Sequence, residues 1–226
     1  MKKALVALCA AAALAGCSGG GGGSSTQGTP APALGNPTGF PLYSNSKVIS
    51  AKSFTQIVHA DTTSANSVFA QGNGTYTGHE VIASSAASFS TLSGWLDGVN
   101  GAPPAGYTAE EPQSNPGEQT QAQRYGLDYA VFKRKVGSAT RGVLVIVMDP
   151  QRVNQRFGTI LGMIDKYKAL PSVLRGPLDD EAKARFGMTI TDATQPDSPI
   201  GAALSALGEL EHRQTRGIVV LDAQKQ

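Results

Sequence analysis

Cysteine is almost missing from this 226-residue chain: there are two, Cys9 and Cys17, and both fall within the first 17 residues. Whatever folds after them holds together without a disulfide. Histidine is scarce too, and none of His59, His79 and His212 stands in a recognised metal-binding motif. An excess of one charge is lacking: 19 Lys and Arg face 17 Asp and Glu, scattered rather than gathered into a basic stripe, which argues against a nucleic-acid partner. Past the amino terminus no apolar run approaches the length of a membrane-spanning helix. There is also no G-x-S-x-G elbow and no glycine loop opening a phosphate-binding helix, so no cofactor is expected.

What the chain does have is an ordered amino-terminal pattern. Lys2 and Lys3 precede an alanine-rich apolar run from Ala4 to Ala13 that is too short to cross a bilayer, the mark of a targeting segment. Leu14, Ala15 and Gly16 then lead into Cys17, followed by Ser18 and a run of glycines. This pattern resembles the lipobox signal peptide of bacterial lipoproteins.

The resemblance implies that residues 1–16 are removed as the signal peptide. It also implies that the Cys17 sulfur receives a diacylglyceryl group and that the new amino terminus is usually acylated, palmitate being the typical chain. At about 0.8 kcal/mol per buried methylene, two or three acyl chains make a stable anchor where one would be marginal. Ser18 stands where many enteric lipoproteins carry the aspartate of inner-membrane retention, so the resemblance favours the outer membrane, with the protein facing the periplasm. Loss of Lys2 and Lys3 would leave 19 − 2 = 17 basic against 17 acidic side chains, a balanced mature chain.

Residues 17–39 read as the lipidated cysteine and a flexible Gly/Ser/Pro tether, too poor in apolar side chains to fold. As a random coil, the stretch after the cysteine reaches about 25 Å. A single globular domain is expected over 40–226, starting near Phe40-Pro41-Leu42-Tyr43.

Within it, Lys47 to Phe54 reads as a strand, with Gln56 to His59 continuing or re-pairing it, and Gly72-Asn73-Gly74 as a turn. His79 to Ser84 reads as a further strand. Phe89, Leu92 and Leu96 sit at helical spacing within Ser88 to Val99. Prolines mark a long loop over 102–116 with an edge strand at Tyr107 to Glu110. Tyr125, Leu127, Tyr129 and Val131 alternate as a half-buried strand. Gly137-Ser138 turns it into Gly142 to Met148, whose unbroken apolar run marks a central strand.

Asp149-Pro150 is a cap followed by proline at the first helical position, opening a helix that ends before Pro171. A short helix is expected over Leu178 to Phe186, closing at Gly187, and another opens at Ser198-Pro199. Arg216 to Asp222 closes the chain as a strand. The order predicts an α+β fold, a mainly antiparallel sheet with helices packed on one face.

The candidate chemistry is thin. His59-Ala60-Asp61 would share one face of a strand, as a base and its orienting carboxylate, but no nucleophile motif accompanies them. His79-Glu80 would diverge. Glu209 and His212 stand at i,i+3 as half of a di-iron site whose other half is missing, so a solvated helix end is the better reading. Asp179-Asp180-Glu181 suits a helix start and cannot converge on one ion. Tyr107 and the loop over 102–116 could carry recognition.

The expectation is therefore a membrane-anchored envelope lipoprotein, non-catalytic, binding an envelope protein or glycan or serving a structural role. A small-molecule or lipid carrier and a hydrolase using His59 or His79 as base are the alternatives.

Overall fold

The computed structural model describes residues 35–58, 74–110, 120, 122–186, 189–193 and 199–225. The lipobox, most of the tether, His59-Ala60-Asp61, the Gly72-Asn73 turn, Pro112, Pro116, Gly187 and Ser198 lie outside the described residues.

The elements run β1 (Lys47–Val58), β2 (Gly74–Ser85), α1 (Phe89–Gly101), β3 (Tyr107–Glu110), β4 (Leu127–Val136), β5 (Ala139–Met148), α2 (Pro150–Ala169), α3 (Ser172–Phe186), α4 (Ile190–Ala193), α5 (Pro199–His212) and β6 (Arg216–Lys225). The strands form one sheet in the order β1-β2-β6-β5-β4-β3, every neighbouring pair antiparallel. The fold is α+β.

Strand periodicity assigns the two faces. On one, Val81, Val143, Val145, Val147, Ile218 and Val220 pack with Phe89, Leu92 and Leu96 of α1. On the other, Ile82, Leu144, Met148, Val219 and Leu221 pack with Val153 of α2 and Ala206, Leu207 and Leu210 of α5. Helices therefore cover both faces, which corrects the expectation of one. The physical reason lies in β5 and β6: their apolar runs put branched side chains on both sides of the sheet, and each side needs a cover.

Local chemistry places the helices. The Ser88 side chain accepts from Thr91 N at 3.1 Å and caps α1. Asp149 caps α2, with Pro150 next, and also accepts from Arg216 Nε at 2.9 Å, tying the helix start to the start of β6. Gly126 has φ +84°, and a Cβ there would lie 2.7 Å from the Arg152 Cβ. Only glycine fits, and its carbonyl accepts from Asp149 N at 2.8 Å.

Two further expectations change. β4 begins at Leu127, because Tyr125 and Gly126 form the turn into it. α3 begins at Ser172 rather than Leu178 and carries Pro177 inside it. Asp179-Asp180-Glu181 therefore lie mid-helix, where Asp179 accepts from the Tyr167 hydroxyl (2.6 Å) and from Thr191 N (3.0 Å), joining α2, α3 and α4. No helix among the described residues is long and apolar enough to cross a membrane.

Candidate functional site

The apolar side chains of the α1 face give way to polar ones toward one end of the sheet. Continuing the two-residue period, Ser53 and Thr55 of β1, Thr77 and His79 of β2, Asp222 and Gln224 of β6, Arg141 of β5 and Arg134 of β4 share the face that carries Val81, Val143 and Phe132. Cross-strand register makes two rows. Ser53, His79, Asp222, Val143 and Phe132 lie side by side, and beyond them run Thr55, Thr77, Gln224, Arg141, Arg134 and Tyr107.

Asp222 is the centre of this region, only 1% exposed. Its Oδ1 accepts from Arg141 Nε at 2.7 Å, and its Oδ2 lies 3.6 Å from Arg134 Nη2, an ion pair beyond hydrogen-bonding distance. Burial of a carboxylate would be costly alone, and two guanidinium groups offset that cost. Arg134 Nη1 donates to the Tyr107 hydroxyl at 2.9 Å, and its guanidinium also stands 5.3 Å from the centre of that ring. The Tyr107 hydroxyl in turn donates to the Thr38 carbonyl at 3.3 Å. Burial holds the Tyr107 phenol above its usual pKa.

The segment ahead of β1 closes this end. Phe40 is fully buried, edge-on to Tyr107 at 5.2 Å and tilted against Phe132 at 4.9 Å. Asn36 accepts from Thr38 N and its Nδ2 donates to the Phe40 carbonyl, a compact turn that presents the Thr38 carbonyl to Tyr107. Gly39, at φ +66°, leaves room for Arg134: a Cβ would stand 3.2 Å from Nη1.

Among the described residues, two sequence-predicted candidates fall in this region, Tyr107 and the proposed base His79. The Nδ1 of His79 is 3.2 Å from Ser53 Oγ, and its backbone partner across β2 and β6 is Asp222. A serine, an imidazole and a carboxylate thus occupy successive strands. The carboxylate, however, is turned to the arginines: Oδ1 is held by Arg141, and Oδ2 makes no hydrogen bond among the described residues. Among the described residues, the relay in which a carboxylate orients the imidazole is not assembled.

The remaining candidates lie elsewhere. His212 ends α5 in solvent, and Glu209 beside it pairs with Arg213 at 3.7 Å. Glu80 points to the opposite face, buried at 5% exposure with Oε1 free of hydrogen bonds, and desolvation raises its pKa from 4.5 to about 6 against the pull of Lys52. Among the described residues, no three His, Cys, Asp or Glu side chains gather as metal ligands would.

Sequence reasoning missed Arg134, Arg141 and Asp222 as a group. A usable signal was present, because each sits two residues from a core position on its own strand, Phe132, Val143 and Val220 respectively. No family model matches the chain, and no curated protein or solved structure matches it either.

Proposed function

We propose that the chain is a lipid-anchored envelope lipoprotein, held by Cys17 in the outer membrane and facing the periplasm, whose domain is a non-catalytic binding or structural module. The address rests on Leu14-Ala15-Gly16-Cys17. The module reading rests on one observation: Asp222, buried next to His79, is committed to Arg141 and Arg134, which makes this end of the sheet a fixed charged surface rather than a proton relay.

A Cys17→Ser variant tests the anchor. It is expected to fold and to leave the membrane fraction; a variant still pelleting with the bilayer refutes the anchor. The hydrolase reading keeps one favourable observation, the contact between Ser53 Oγ and His79 Nδ1. A fluorophosphonate that labelled Ser53 in the wild type but not in His79→Ala would establish it and displace the module reading.

A further inference from the structure

The arginines around Asp222 are more than one buried carboxylate needs. Two guanidinium groups against one carboxylate leave a local charge of +1 on the α1 face of the sheet. Arg141 uses Nε for Asp222, and among the described residues its two Nη groups have no hydrogen-bond partner, while its side chain stays 19% exposed. Asp222 therefore holds Arg141 through Nε and leaves the four N–H donors of its two Nη groups unengaged by the carboxylate.

A guanidinium fixed in this way loses little freedom when it forms two parallel hydrogen bonds to an oxyanion. Arg134 stands alongside on β4, in register with Arg141, held by Tyr107 and 24% exposed. The surrounding groups are polar and uncharged: Gln224 and Thr77 in the same row, Ser53 beside His79 in the next. Of the other acidic residues on these strands, Glu80 and Glu110 lie on the opposite face, where Glu110 pairs with Lys133 at 2.7 Å, and Asp128 lies six residues along β4 from Arg134, bonded to Ser93 of α1.

We propose that Arg141, seconded by Arg134, binds the carboxylate group of an envelope component. The local charge favours this anion over a phosphate. One carboxylate neutralises the +1, whereas a phosphate dianion would add a second negative charge close to buried Asp222. This ligand class deepens the binding-module reading and rests on it.

The test uses the full-length protein in detergent at pH 7, with the arginine Nε–Hε NMR signals followed during titration. The probes are acetyl-Ala-Ala with a free carboxyl terminus, its terminal amide, glucuronate, glucuronate methyl ester and inorganic phosphate. The free carboxylates are expected to shift the Arg141 signal saturably, the amide and ester are not, and the peptide and sugar arms distinguish the two sources.

Arg141→Lys keeps the charge that Asp222 needs but removes the fork, so it should retain the wild-type melting temperature while weakening carboxylate binding about tenfold. Equal response to acid and amide, tighter binding of phosphate, or unaltered binding by Arg141→Lys would each overturn the proposal. Absence of any shift in a protein that still needs Cys17 for membrane retention would remove the ligand class and leave the anchored reading standing.

Discussion

Replacing Glu80 with Gln should stabilise the protein at neutral and alkaline pH and do little in acid. Glu80 stands in register between Lys52 and Leu221 on the face packed by α2 and α5, 5% exposed, with Oε1 outside any hydrogen bond. Desolvation disfavours its charged form and raises its pKa from 4.5 to about 6. A carboxyl whose folded pKa lies above its unfolded one gives the folded state more bound protons. Its stabilising contribution is complete below pH 4.5 and is lost as pH rises through about 6.

At about 1.4 kcal/mol per pH unit between the two values, the loss comes to about 2 kcal/mol at pH 8. Glutamine keeps the shape and cannot ionise. Urea denaturation of wild type and Glu80→Gln at pH 4 and pH 8 reads the effect directly. The stability difference between the two proteins should move by about 2 kcal/mol in favour of glutamine across that range. If it is the same at both pH values, Glu80 is not ionising at a desolvated site and the reasoning fails.

Gly78→Ala should cost about 3 kcal/mol or more, because a Cβ there collides with the Asp222 backbone carbonyl and must spread β2 from β6; a melting temperature within a degree of wild type would contradict that geometry. Asp149→Ala removes the α2 cap and the partner of Arg216 together, and chemical denaturation should show a loss of about 1–2 kcal/mol.

Much of the element order was legible because its signals are local. Ser88 and Asp149-Pro150 announce helices within a few residues, and Gly137-Ser138 announces the hairpin between β4 and β5. The extra turns of α3 were hidden by Pro177, since a proline reads as a boundary although the helix accommodates it by forgoing one backbone hydrogen bond. The second helical cover was implied by the unbroken Val143 to Met148 run, which a sheet bare on one side would leave half exposed, yet expecting one helical layer set that implication aside. The candidate site was least legible, because Arg134, Arg141 and Asp222 are ordinary strand-end charges until their strands are placed side by side.

By itself, then, the sequence determined the kinds and most of the order of the strands and helices among the described residues. The tertiary structure alone decided that β6, last in the chain, inserts between β2 and β5. That insertion sets Asp222 beside His79 and within reach of Arg141, 81 residues away. The reason is physical: turns, caps and periodicity act over a few residues, whereas strand neighbours are chosen by how apolar faces from the whole chain can be buried together.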